Sequence, residues 1–301
     1  MLSMATTDLP KHDRRPESEG RTQISVNDIA RAYFNAVKDP EQDATYVELP
    51  REDPGRAAGM CGLLRVHMYS TRAAADGWHD EYSGLLKKLG FAAGDASACV
   101  FRHAARGLVL SVHGDDFSIA GPKKQIDWLK AQMEFRYELK ELARLRPGPN
   151  DDKEVKILNR IVRWTASGVE YEADLRQIER VVADFGLEGA EAIGTAGVKA
   201  DKAMLEKDGP LGEDKRTLYR GIAARCNFVA ADRPDIQFAS KELCRWMASP
   251  SLLGLQGLKR LGRYLEGHRR LVFEYGRRWM CIATPIGRGV SKPANPPAEV
   301  V

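Results

Sequence analysis

Apolar and polar positions alternate over QISVND (Gln23 to Asp28), and the run reads as a short strand followed by a brief helical turn at ARAYFNA. ATYVELP (Ala44 to Pro50) alternates as well and ends in proline, which suits an edge strand. Trp78, Tyr82, Leu85, Leu86 and Leu89 recur at helical spacing, with Gly90 where a helix would stop. ACVFRH and LVLSVHGDDFSIAG then give two or three strands, and a Gly-Asp pair interrupting the second block predicts a β-hairpin. Ile126, Leu129 and Met133 mark a further helix after Gly121-Pro122. RPGPNDD (Arg146 to Asp152) punctuates the chain, and VKILNRIVRW and VEYEAD around Ala166-Ser167-Gly168 predict a second hairpin. From Leu175 the period changes: Leu175, Ile178, Val181, Val182 and Phe185, then Ile236, Ala239, Leu243 and Trp246, then Leu255, Leu258, Leu261 and Leu265 all follow a helical repeat. Mixed strands and helices before Asp174 and helices after it predict an α+β chain in two regions.

Composition adjusts this picture little. With 301 residues, 43% hydrophobic and 29% charged, the chain can bury a sizeable core, and disordered, collagen-like and coiled-coil classes are excluded. Residues 1–21 and the tail 276–301 are polar or rich in Pro and Gly and are expected to lack order. No apolar run is long enough for a spanning helix and the N-terminus lacks the apolar centre of a signal peptide, so the expected setting is intracellular, with cytoplasm and nucleus undistinguished and no membrane involved. Five cysteines without a C-x-x-C pair read as reduced thiols, mostly small core residues. A net charge of +4 permits a nucleic-acid partner without requiring one.

Chemistry concentrates at Asp28, which closes the first strand, and at Asp115 and Asp116 on the tip of the HGDD hairpin. Adjacent carboxylates repel, so a paired Asp on a tight turn suits a hard cation. If the first strand lies beside that hairpin, three carboxylates converge. Taken alone, Asp-Asp in a Gly-containing turn is more often a solvated hairpin tip. His67, His79, His103 and His113 show no metal-ligand spacing, and no Gly-rich phosphate loop occurs.

Four ordered blocks carry a resemblance. ISVNDIARAYFNA resembles the first catalytic motif of reverse transcriptases, and VHGDDFSIAG resembles their second, Y-V-D-D or Y-A-D-D inside an apolar hairpin. The segment from Tyr69 to Phe101 is similar to Y-G-L-K-Q-A-P-R-A-W…L-G-F…C-L-F of copia-type retrotransposon polymerases. RPDIQFASKELCRWMASP and LKRLGRYLEG resemble that family's R-P-D-I…S-R-F-M-S-x-P and A-L-K-R-I-L-R-Y-L-K-G. These blocks span about 250 of the 301 residues, so the chain resembles the reverse transcriptase domain of a copia-type LTR retrotransposon polyprotein.

The resemblance implies a right-hand palm, an antiparallel sheet with packed helices, over residues 22–173, followed by a helical thumb or connection region over 174–275. It implies RNA-directed DNA synthesis with an RNA template, a DNA primer, deoxynucleoside triphosphates and two Mg²⁺, with Mn²⁺ as an alternative ion. Asp28, Asp115 and Asp116 form the implied catalytic and metal-binding set, Asp116 in a supporting role. Tyr33, followed by Phe34, lies where an aromatic ring would exclude a 2′-hydroxyl; a core aromatic is the other reading of Tyr33. The hairpin from Val155 to Glu172 takes the place that positions the primer end, or is simply structural. Lys259, Arg260, Arg263, Arg269 and Arg270, with Arg277 and Arg278 beyond, suit tracking of a phosphate backbone or, equally, a solvated charged face.

The sequence departs from the family's pattern at Ala73, Asp76 and Gly114, where the family carries Gln, Arg and Val or Ala, and His113 stands at its Tyr. Only 27 residues precede Asp28, fewer than a fingers segment needs, and the RNase H region expected after Tyr275 is replaced by a Pro-rich tail. The expectation is therefore a palm and thumb cut from a polyprotein. The alternative is an inactive retrotransposon remnant that at most binds nucleic acid.

Overall fold

A computed structural model describes residues 22–39, 41, 43–146, 148–276 and 281–286. The expected leader over 1–21, Arg277 and Arg278, and most of the expected tail lie outside the described residues. The chain is mixed α and β with antiparallel sheets, and it divides into two compact units, Met1–Val155 and Lys156–Val301.

The first unit is built on a six-stranded sheet. Its strands are β1 (Thr22–Ile29), β4 (Ala92–Gly94), β5 (Ser97–His103), β6 (Leu108–His113), β7 (Asp116–Pro122) and β8 (Leu139–Leu145), in the order β4-β5-β6-β7-β1-β8. The first strand of the sequence thus lies inside the sheet, antiparallel to both β7 and β8. β2 (Tyr46–Glu48) and β3 (Cys61–Leu63) pair separately, so the alternation at Ala44 to Pro50 does form a strand. Helices α1 (Ala74–Lys88) and α2 (Lys123–Glu134) follow the predicted spacing. The Phe91 amide reaches back to the Leu86 carbonyl at 3.0 Å, closing α1 where Gly90 was read as its stop.

Alternation decides which side of the sheet these helices cover. Leu110, Val112, Phe117 and Ile119 pack with Trp78, Tyr82 and Leu86 of α1 and with Ile126, Leu129 and Met133 of α2 in one buried cluster. Neighbouring residues on a strand point to opposite faces. With Phe117 on the helix face, Asp116 belongs to the other.

One close approach in this unit is testable. The His67 ring packs directly on Gly77 of α1, where a Cβ would lie 2.1 Å from Nε2. His67 is buried, and burial together with the nearby Lys38 ammonium holds its pKa below the ordinary value, which favours the neutral ring. Gly77→Ala is expected to destabilise the protein by about 1–3 kcal/mol in chemical denaturation, as overpacking does. His67→Ala in the same chain should restore most of the loss; failure of that rescue would remove the steric explanation.

The second unit combines a sheet and a helical core. β9 (Glu154–Ile157), β10 (Arg160–Trp164), β11 (Gly168–Glu172), β12 (Arg270–Gly276) and β13 (Cys281–Ile286) form one sheet in the order β13-β12-β11-β10-β9. VKILNRIVRW, read as one arm of a hairpin, is two strands joined at Leu158-Asn159, both with positive φ (48° and 66°), as a type I′ turn requires. The hairpin assigned to the first region therefore shares its sheet with strands from the end of the chain, and β13 falls within the segment read as tail. Helices α3 (Leu175–Asp184), α4 (Glu213–Ala230), α5 (Pro234–Cys244) and α6 (Leu252–Gly267) enclose Ile178, Val182, Tyr219, Ile222, Leu258 and Leu261. Asp174 and Ser251 cap α3 and α6 by accepting from the Arg176 and Gly254 amides at 3.1 Å.

Cys226 is fully buried and its thiol is pushed up to about 12 by burial, as expected of a core residue, whereas Cys61 and Cys99 are exposed. Among the described residues no helix is long and apolar enough to cross a membrane.

Candidate metal centre

Backbone pairing alone brings the three acids together. Asp28 and Asp116 are direct partners in the β1–β7 register, and the Ile29 amide donates to the Asp115 carbonyl at 3.1 Å. His113 and Asp116 are themselves partners, so β6 and β7 are joined by the two residues Gly114 and Asp115. Gly114 has φ +64°, the left-handed conformation that the first position of such a turn favours and that a Val or Ala would adopt only at a cost. Trp78, read in sequence only as a core position of α1, donates from Nε1 to the Gly114 carbonyl at 2.8 Å and so fixes the turn from below. Its ring also meets Phe117 edge to face, with centroids 6.3 Å apart.

The resulting cluster is compact. Each of Asp28, Asp115 and Asp116 is half-buried and offers a carboxylate oxygen, and these oxygens lie within 4.8 Å of one another. Burial, and then the charges of Asp115 and Asp28, push the Asp116 carboxyl above the usual range; His113 partly opposes them. Like charges held this close are relieved by a cation, and three oxygen donors suit a hard divalent ion.

The same register extends the row. Across the sheet run His113 of β6, Asp116 of β7, Asp28 of β1 and Lys140 of β8, each directly opposite the next. Direct partners share a face, so an exposed imidazole and an exposed ammonium flank the carboxylates on the side away from α1 and α2. Lys140 escapes a motif reading because only its register with Asp28 places it there.

Tyr33 and Phe34 lie on a short 3₁₀ turn, Ala32–Asn35, that leaves β1 through Arg31 at φ 53°. Tyr33 is half-buried and Phe34 exposed, and both rings meet Tyr69 edge-on, with centroids 4.4 and 5.8 Å away. Burial and the Asp115 charge push the Tyr69 hydroxyl up, and Asp28 adds to the effect.

The basic residues singled out in sequence belong to the second unit, and most of them serve internal contacts. Arg269 pairs with Glu266, while Arg270 and Arg163 both bind the buried Glu172. Burial alone would raise the Glu172 carboxyl; the two guanidiniums outweigh it and hold it low. Arg260 donates to Thr195 Oγ1 at 2.6 Å and Arg263 to the Glu191 carbonyl at 3.0 Å, which leaves Lys259 exposed. The R-P-D-I block is equally structural: Arg233 is wholly buried and grips Asp235 through Nε and Nη2 at 2.9 and 2.6 Å.

No protein-family model matches the chain. It is 24% identical over 262 residues to a putative transposon Ty5-1 protein of Saccharomyces cerevisiae, covering 82% of this chain and 78% of that protein. It is 26% identical over 206 residues to the retrovirus-related Pol polyprotein from transposon RE1 of Arabidopsis thaliana, covering 68% of this chain. The polyprotein from transposon TNT 1-94 of Nicotiana tabacum is 25% identical over 259 residues, covering 81% of it. The chain spans only 13% and 18% of the length of these two plant polyproteins. Its relatives are thus transposon proteins, and it is a retrotransposon-related chain.

Proposed function

We propose that the chain is the reverse transcriptase part of a copia-type retrotransposon polyprotein, with the six-stranded sheet as palm and the region after Asp174 as thumb or connection. The observation that carries this reading is the carboxylate cluster. Asp28 and Asp115–Asp116 stand on the two elements where the family's catalytic motifs were read, and their oxygens converge within 4.8 Å. The donor set fits Mg²⁺, with Mn²⁺ as an alternative: Asp28 and Asp115 would be direct ligands and Asp116 a supporting acid. Bound there, the metal would activate a primer 3′-hydroxyl and neutralise a triphosphate.

The chain's own residues supply position and charge. Trp78 and the Ile29 amide hold the turn that carries Asp115, so the carboxylates need little rearrangement to bind. Exposed Lys140 offers a cation beside Asp28, where an anionic substrate would lie. Tyr33, on the turn that follows Asp28 and β1, would select deoxynucleotides by leaving no room for a 2′-hydroxyl. The partners on this reading are an RNA template, a DNA primer and deoxynucleoside triphosphates. The internal pairing of Arg269 and Arg270 moves the expected nucleic-acid contacts away from those two residues, leaving Lys259 as the freer cation of that set.

The purified full chain is expected to extend a DNA primer on an RNA template when given deoxynucleoside triphosphates and Mg²⁺, and to lose that activity with chelator. A folded chain that yields no product in Mg²⁺ or Mn²⁺ rejects the enzyme and leaves an inactive remnant.

A further inference from the structure

The geometry points to Tyr69 as a second residue of sugar selection, a positioning residue that fixes the ring of Tyr33. This inference rests on the polymerase reading and adds to it a residue that none of the catalytic motifs contains.

Tyr33 stands on a four-residue 3₁₀ turn, half-buried, with one side of its ring packed on the cluster that contains Ala32 and Trp78. A gate of this kind excludes a hydroxyl only if the ring cannot swing aside. Its aromatic neighbour is Tyr69, whose ring meets Tyr33 at 90° with centroids 4.4 Å apart and also meets Phe34 at 5.8 Å. Edge-to-face contacts of this type favour one relative orientation.

Tyr69 is not simply part of the core. It is 37% exposed and Phe34 is 42% exposed, so the aromatic group opens to solvent. Burial, and then the charges of Asp115 and Asp28, push its hydroxyl up, so the ring lies within electrostatic reach of the acids. Both segments also carry a non-glycine residue in the left-handed region next to the aromatic pair: Arg31 at φ 53° before Tyr33, and Ser70 at φ 64° after Tyr69. Such conformations are costly, persist only where the surroundings enforce them, and gather at functional sites.

Single-nucleotide incorporation by the full chain tests this, with kcat and KM measured for matched deoxy- and ribonucleotides in Mg²⁺. Tyr69→Leu is expected to raise the relative kcat/KM for the ribonucleotide by roughly 3- to 10-fold, mainly through a lower ribonucleotide KM. Tyr69→Phe keeps the ring edge and should stay within about twofold of wild type. Should the Leu variant fail to fold by circular dichroism, Tyr69→Met fills the space without a ring and carries the same expectation. An unchanged ratio in the ringless variant overturns the inference alone, as does a Phe variant that shifts as far as Leu. A wild-type chain that makes no product overturns the polymerase reading and this inference with it.

Discussion

Asp115→Asn should lower primer extension by on the order of 10³-fold, the scale on which removal of one preorganised electrostatic group acts. The loss is not expected to come from unfolding. Asp115 joins the fold through its backbone carbonyl, which accepts from the Ile29 amide, and asparagine keeps that bond. A second readout needs no turnover. In the metal-free protein the Asp116 carboxyl is held up by burial and then by Asp115 and Asp28. Removing the Asp115 charge should therefore let Asp116 titrate at lower pH, followed by carboxyl NMR. Equal extension by wild type and variant, or an unmoved Asp116, would show that these carboxylates do not act as one set.

The largest stability effect is expected at Arg233. Its guanidinium is fully buried, binds both oxygens of Asp235, and donates to the carbonyls of His268 and Arg269 at 2.8 and 3.1 Å, while Tyr264 donates to the same carboxylate at 3.0 Å. Arg233→Met leaves Asp235 without its counter-charge and two carbonyls without this donor, and breaking one side of a buried pair costs about 3–5 kcal/mol. Urea unfolding near neutral pH measures it. The pH dependence follows from Asp235: burial alone would raise its carboxyl, but Arg233 and Tyr264 together hold it below 3.8. The folded chain then binds fewer protons there than the unfolded chain, so this stabilisation is present above about pH 3.8 and is lost as pH falls through the depressed value. In the variant burial is opposed by Tyr264 but no longer by the guanidinium, so the Asp235 carboxyl rises and the gap between the two proteins should narrow on acidification. A gap that stays constant down to pH 3 would mean that the pair is not what Arg233 supplies.

How much of this was legible depended on whether the cause was local. The turn at Gly114-Asp115 could be read because glycine stands where a left-handed residue is needed and alternating runs flank it. The turn at Leu158-Asn159 could not, because it takes the same backbone region without a glycine. α4, expected to be helical around Cys226, has no leucine repeat to define its extent, because its buried stripe sets Ile222 and Val229 among Tyr219, Ala223, Cys226 and Ala230. The meeting of Asp28 with the hairpin came from resemblance, since no local rule pairs β1 with β7. Neither could spacing reveal that Arg270 spends its charge on Glu172, or that Lys140 stands across from Asp28; both follow from register between distant strands. Trp78 was placed correctly as an apolar position, but its indole N–H gives it a second task that hydrophobicity does not report.

The interior position of β1 carries a consequence for biosynthesis. Thr22–Ile29 leaves the ribosome well before its hydrogen-bonding neighbours on either side, Asp116–Pro122 and Leu139–Leu145. Until they emerge, a nascent chain holds an apolar segment with both edges open, the state in which chaperone capture and misassociation compete with folding. Any product that stops before Leu139 would display that unsatisfied edge permanently.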